Sequence, residues 1–225
     1  MTVTAILPVP GSYEQCREAV FAPVFGASPL ARIAAALAPF AEVVIAVAGP
    51  LVEEVRRTVA TQHFPPVRVV HVDPPGGRAQ CIDAGLRAAG PAGGSVLLHD
   101  LGWPLITAAT IDSVVCALRH GAAAVLPIRP VTDSVKAVDG RGAVTATLDR
   151  APLRTVQYPR GFDTAVLHAL LPGGADGAFD ELEALLSTTT APTLVEGDTG
   201  ALRFDLPADA ALLAALIASR QDHPD

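Results

Sequence analysis

The only lysine in the chain, Lys136, ends the run Pro130-Val131-Thr132-Asp133-Ser134-Val135-Lys136, which brings an acid, a hydroxyl and an ammonium close together on one short stretch. Core packing does not account for such polarity, and the charges could also be solvated ones on a projecting arm. Arg78 directly follows Gly76-Gly77 where a helix is expected to begin. Backbone N–H groups and a guanidinium at a helix N-terminus can hold an anion or a nucleotide, and a plain turn is the alternative. Asp100 follows the apolar run Ser95 to Leu98. An acid at the C-terminal end of a central strand can bind a metal ion or a ligand hydroxyl, and it can equally cap a turn. The segment Pro8 to Arg17, with Gly11 in it, lies just past the first expected strand, where open α/β sheets bind ligands or simply change direction. His99 beside Asp100 raises a metal-dependent phosphohydrolase reading. The other histidines, His63, His71, His120, His168 and His223, show no ligand spacing, and that reading is set aside.

The elements that must carry these residues follow from periodicity. Val3 to Leu7, Val43 to Val47, Val67 to Val72, Ser95 to Leu98 and Ala122 to Leu126 read as buried strands. Between them, helical spacing places Leu30, Ile33 and Leu37 on one face behind the cap Ser28-Pro29. It does the same for Leu51, Val52, Val55 and Val59 from Pro50 onward, for Cys81, Ile82, Leu86 and Ala89, and for Ile111, Val114, Val115 and Leu118. This alternation predicts an α/β fold with a doubly wound, mostly parallel sheet. Residues about 129–155 read instead as two extended strands around the glycine turn Asp139-Gly140-Arg141-Gly142, a projecting β-hairpin arm. Helices are expected over Asp163 to Leu171 and Phe179 to Leu186, and strands over Thr193 to Glu196 and Ala201 to Leu206. A last helix is expected from Pro207, with Gln221 to Asp225 as a frayed tail.

At 225 residues, with half of them hydrophobic and 17% charged, the chain suits one packed domain, 1–225, with the arm as its appendage. A formal charge of −7 argues against a general nucleic-acid or anionic-membrane surface, so an anionic ligand needs a local arginine cluster. Cys16, Cys81 and Cys116 form no CxxC pattern, which suits a reducing cytoplasm without a disulfide framework or a zinc site. The N-terminus carries no positive leader, and the apolar runs are broken before membrane-spanning length.

In this order the pieces resemble the 2-C-methyl-D-erythritol 4-phosphate cytidylyltransferase family of the non-mevalonate isoprenoid pathway. Pro130 to Lys136 is similar to the family's P-x-x-D-T-I/V-K, Leu148-Asp149-Arg150 to its V-D-R, and Val156-Gln157-Tyr158-Pro159-Arg160-Gly161-Phe162 to its x-Q-T-P-Q-x-F. Leu194 to Asp198 resembles its V-E-G-D/S, and Arg203 to Asp209 its K-I/V-T-x-P-x-D. Gly77 to Ile82 resembles the nucleotide segment R-x-x-S-V, and His99-Asp100 the family's H-D-A-A-R-P. The resemblance implies a Rossmann-like nucleotidyltransferase that dimerises through its arm and joins CTP to the sugar-alcohol phosphate with loss of pyrophosphate, assisted by Mg²⁺. It implies catalytic roles for Arg150, Arg203 and Arg17, and substrate contacts from Asp100, Asp133, Ser134, Lys136 and Tyr158. Pro8, Gly11, Gly77, Arg78 and Cys81 would lie along the nucleotide, and Asp100 would be the metal contact.

The departures mark a diverged member with a degenerate N-terminal nucleotide loop. The family's P-A-A-G-x-G-x-R loop and following P-K are replaced by Pro8-Val9-Pro10-Gly11-Ser12-Tyr13-Glu14, about two residues shorter, with no lysine to follow. Only an arginine such as Arg17 could compensate, and its planar guanidinium differs from a compact ammonium. Trp103 stands at an arginine position, Tyr158 at a threonine and Arg160 at a glutamine. Two alternatives therefore accompany the enzyme reading: an impaired paralogue serving as a dimeric binding or regulatory protein, and a nucleotidyltransferase with a changed substrate.

Overall fold

The structure is a computed structural model and describes residues 2–61, 67–90, 94–172 and 179–222. His63 and His223 lie outside the described residues, as do the last three positions of the expected tail. The chain runs β1 (Val3–Val9), α1 (Glu18–Phe21), α2 (Pro29–Leu37), β2 (Glu42–Ala48), α3 (Val52–Ala60), β3 (Val67–Val72), α4 (Arg78–Ala89), β4 (Ser95–Leu98) and α5 (Ala108–Arg119). It continues through β5 (Ala124–Pro130), β6 (Val135–Val138), β7 (Val144–Leu148), β8 (Arg154–Val156) and β9 (Arg160–Asp163). It closes with α6 (Thr164–Leu170), α7 (Glu181–Leu186), β10 (Thr193–Glu196) and α8 (Ala210–Asp222).

The main sheet has the order β10-β5-β9-β4-β1-β2-β3, with β8 paired to the far end of β5. β1 pairs parallel with both β2 and β4, so its neighbours come from the first and third crossovers, the doubly wound arrangement expected of alternating strands and helices. Parallel order is broken by β9, which runs antiparallel between β4 and β5, and by β8, antiparallel to β5. Alternation along β1 divides the core. Ala5, Leu7 and Val9 join Leu30, Ile33, Val55 and Ile111 on one face, while Ile6 meets Ile82, Leu86, Phe162, Leu167 and Leu185 on the other. Both faces of the sheet are therefore covered by helices.

The arm is two-tiered. Its base is the antiparallel pair β5–β8, from Ile128↔Val156 to Pro130↔Arg154. Beyond it β6 and β7 form a separate two-stranded ribbon around the expected Asp139 to Gly142 turn. The chain then returns as β9, whose extended backbone is expected as a continuation of the arm but which enters the main sheet instead. Ala201 to Leu206, expected as a strand, is irregular: Phe204 N–H donates to Gly102 C=O at 2.8 Å instead of entering a ladder. The last helix begins at Ala210 rather than Pro207 and includes Gln221 and Asp222. No helix among the described residues is long and apolar enough to cross a membrane.

Candidate active site

A polar cluster gathers beyond the C-terminal ends of β1 and β4, where the parallel strands leave a crevice. Arg78, the first residue of α4, is placed there by the β3–α4 turn. In that turn Gly76 has φ +61°, and a Cβ on it would come within 2.6 Å of the Ala48 Cβ. Glycine is needed on both counts. Asp100 arrives from β4. Tyr158 comes from the β8–β9 connection, Arg160 from the first position of β9, and Glu181 from the first turn of α7.

These five side chains form one network. Arg78 Nη1 donates to Asp100 Oδ2 at 2.8 Å, and Nη2 donates to the Tyr158 hydroxyl at 3.0 Å. Nε and Nη2 of Arg78 both reach Glu181, at 3.3 and 3.2 Å. The Tyr158 hydroxyl donates to Glu181 Oε1 at 2.6 Å, and Arg160 Nη1 to the same oxygen at 2.9 Å. Burial, opposed in part by the nearby Arg78, pushes the Tyr158 phenol above its ordinary pKa, so it remains a donor. The Arg160 guanidinium lies 4.3 Å from the centre of the Tyr158 ring, and Trp103 packs at 6.0 Å from it. Arg78 and Arg160 thus face Asp100, Glu181 and Asp180, the last at 3.3 Å from Arg160. This cluster carries no cationic excess.

Arg203 is different. It lines a cleft of about 70 Å³ with Tyr13, Asp100, Gly102 and Phe204, and it takes part in no ion pair among the described residues. Its place is set through the backbone. The Gln157 amide donates to Asp198 and Ala201 carbonyls at 2.8 Å and accepts from Asp198 N–H, which clamps the turn ahead of Arg203. Tyr13, from the short first loop, completes this cleft. Its hydroxyl is raised chiefly by burial and also by Asp100, while Arg78 and Arg203 oppose the rise.

Of the residues singled out from sequence, Asp100, Arg78, Tyr158 and Arg203 come together. Gly77 caps α4, its N–H bonded to Gln80 Oε1 at 2.8 Å. Gly11 N–H donates to Gly76 C=O at 2.9 Å, which seals the first loop against the β3–α4 turn, and Pro8 is buried in β1. Cys81 lies on the buried face of α4, its thiol pushed up to about 12 by burial, and packs rather than reacts. Arg17 turns away to Glu54 at 3.1 Å and the Pro50 carbonyl. Arg150 donates to Thr132 C=O at the arm base, and Lys136 reaches Thr147 Oγ1 at 2.8 Å across the ribbon. Those two, with exposed Asp133 and Ser134, make no contact with their own chain's cleft residues. Sequence reading missed Glu181, Tyr13 and the clamping role of Gln157. Gln157 lay inside a recognised motif, which was the one available signal.

Asp100 is also the expected metal contact. Its Oδ2 is taken by Arg78 and its Oδ1 by Gly102 N–H at 2.9 Å, and no group of three His, Cys, Asp or Glu side chains gathers among the described residues. The cleft does not fit a cation held by protein groups alone.

His99, fully buried behind Asp100, donates its Nε2–H to the Trp103 carbonyl at 2.9 Å and leaves Nδ1 without a partner. Burial holds it neutral and lowers its pKa from 6.5 to about 4, with the Trp103 carbonyl and Asp100 opposing and Arg78 assisting. The unfolded chain therefore takes up this proton first. Stability is expected to be unaffected by His99 above pH 6.5 and to fall as pH drops from 6.5 towards 4, by about 3 kcal/mol in all. Urea titrations across that range check it: His99→Gln should flatten the slope, and an unchanged slope would refute the assignment.

Known proteins resemble the chain along most of its length. The family model described as 2-C-methyl-D-erythritol 4-phosphate cytidylyltransferase matches residues 14–219. The match leaves out β1 and the altered first loop up to Tyr13. The cytidylyltransferase of that name from Nocardia farcinica is 35% identical over 228 aligned positions, covering 97% of this chain and 95% of its own. The one from Streptomyces coelicolor is 36% identical over 173, covering 73% and 64%. The crystal structure of the Thermus thermophilus protein of the same name superposes with a TM-score of 0.74 at 27% identity, over 97% of this chain and 100% of that one.

Proposed function

The chain belongs to the 2-C-methyl-D-erythritol 4-phosphate cytidylyltransferase family, and on that premise we propose that it transfers the cytidylyl group of CTP to 2-C-methyl-D-erythritol 4-phosphate in isoprenoid precursor synthesis. A phosphate oxygen of the acceptor attacks the α-phosphorus of CTP, and the bond to the bridging oxygen breaks as pyrophosphate leaves with the electron pair. Such a transfer needs placed positive charge rather than a protein nucleophile. The observation that carries the reading is the convergence of Asp100, Arg78 and Arg203, each in its family motif, at the crevice beyond the parallel strands.

In this reading Arg203 is the cation left to meet a phosphate. Arg150, Asp133, Ser134 and Lys136 serve a second copy, since their own cleft receives none of them. The ribbon supports that role: Val138, Val144 and Leu148 are 60%, 64% and 47% exposed, apolar surface suited to covering by a partner. Mg²⁺ would enter on the nucleotide's phosphates. The three cysteines are unpaired, in keeping with a reducing cytoplasm.

A second reading, a dimeric binding or regulatory protein with impaired chemistry, is favoured by the closed first loop. Gly11 is tied to Gly76, and the cleft of about 70 Å³ is far below the roughly 300 Å³ at which small-molecule pockets begin. Pyrophosphate release that depends on the methylerythritol phosphate separates the two. Nucleotide binding without release would leave only the second.

A further inference from the structure

We propose that Glu181 is the positioning residue of this cleft: it fixes the Tyr158 hydroxyl and the Arg78 guanidinium and, through Arg78, the Asp100 carboxylate. Glu181 has no exposed surface, so it does not itself reach a ligand. Both of its oxygens are used. Oε1 accepts from Tyr158 at 2.6 Å, Arg160 at 2.9 Å and Arg78 at 3.2 Å, while Oε2 accepts from Arg78 Nε at 3.3 Å and Nη2 at 3.2 Å. A carboxylate withdrawn from water is stable only with such saturation.

The side-on grip on Nε and Nη2 orients the Arg78 fork, and Nη1 is then aimed at Asp100. Asp100 is in turn fixed by Gly102 N–H at 2.9 Å. A rigid line therefore runs from the start of α7 to the end of β4, joining segments far apart in sequence. Asp180 caps α7 through the Leu182 and Glu183 N–H groups and touches Arg160, so the helix that presents Glu181 is itself anchored to the same network. Arg78 has most of its N–H groups committed before any ligand arrives. It meets a ligand as a donor of fixed direction, not as a mobile cation.

A bland alternative is that Glu181 merely neutralises buried Arg160. Trp103, the only tryptophan of the chain, sits against Tyr158 and reports on the cleft by its fluorescence. Two variants distinguish the roles. Glu181→Asp keeps the charge but shortens the reach, and the double variant Glu181→Gln/Arg160→Gln removes both charges together.

In variants whose circular dichroism is native, the Trp103 emission is expected to shift, and CTP affinity, followed by the same signal, to weaken at least about 5-fold. The double variant should regain stability relative to Glu181→Gln alone without regaining the wild-type emission. Wild-type emission in both Glu181→Asp and the double variant would overturn the proposal, because neutralisation of Arg160 would then be the whole role. The CTP arm rests on the nucleotide reading above, and the emission arm does not. If the unaltered protein binds no CTP, the emission result alone decides.

Discussion

Arg203→Ala is expected to weaken CTP binding by about 10- to 100-fold, with the fold and stability unchanged, in calorimetric titrations of both proteins. A hydrogen bond to a charged group is worth about 1.5–3 kcal/mol, and that sets the range. Arg203 differs from the other arginines near the cleft in being free of an ion pair among the described residues. Arg78 and Arg160 are matched by Glu181, Asp100 and Asp180, and Arg17 is held by Glu54. Arg203 faces the cleft beside Asp100, Asp205 and Tyr13 and pairs with neither acid. Arg203→Lys should keep much of the affinity, because one ammonium supplies the charge if not the fork. Unchanged affinity in the alanine variant would remove Arg203 from the site.

Arg78→Leu is expected to act on stability as well as on the cleft, lowering the free energy of unfolding by about 2–4 kcal/mol in urea melts. Removing one partner of a buried ion pair leaves the other charge in a medium that cannot solvate it. Here Glu181 would keep Arg160 and the Tyr158 hydroxyl, which places the loss towards the lower end of the range for a broken buried pair. Asp100, partly exposed, would lose its guanidinium but retain water and Gly102 N–H. A loss below about 1 kcal/mol would mean that the network is surface-like and screened.

Together these two substitutions separate an arginine outside every ion pair of the described residues from one built into the buried network, although both lie in recognisable motifs. Sequence alone could not make that separation. Arg78 owes its role to Glu181, which is 103 positions away, and nothing local to either residue signals the pair. The order of strands and helices was legible because each element buries a periodic apolar face against the same sheet. The place of β9 in the main sheet was not legible, since Arg160-Gly161-Phe162-Asp163 is short and opens with a charge that only the Glu181 network makes tolerable in the interior. Ala201 to Leu206 misled in the opposite sense. Its apolar residues alternate, but Gln157 and the Gly102 carbonyl take up its backbone groups, and its side chains cover α8 through Phe204 rather than lying in a sheet. Arg17 was read as a loop cation free to turn inward, whereas a glutamate one helix away claims it.

The first loop, which up to Tyr13 lies outside the residues matched by the family model, is where the largest loss of rate is expected. One missing contact to a transferring phosphate costs on the order of 10²–10³ in rate. This chain lacks the loop lysine and carries Trp103 at the arginine position, and Gly11 is tied to the β3–α4 turn. Effects within one site are not additive, so the combined deficit is expected to be about 10⁴-fold rather than the full product.

Single-turnover pyrophosphate release tests the account most directly. With protein in excess over CTP, and with Mg²⁺ and saturating 2-C-methyl-D-erythritol 4-phosphate, slow stoichiometric release that requires the acceptor is predicted. That release should fall further in Arg203→Ala with stability unchanged, and in Arg78→Leu together with a loss of protein stability. No acceptor-dependent release even over prolonged incubation would contradict the proposed activity, and release at the rate of a lysine-bearing family member would contradict the assignment of the altered loop as its limit.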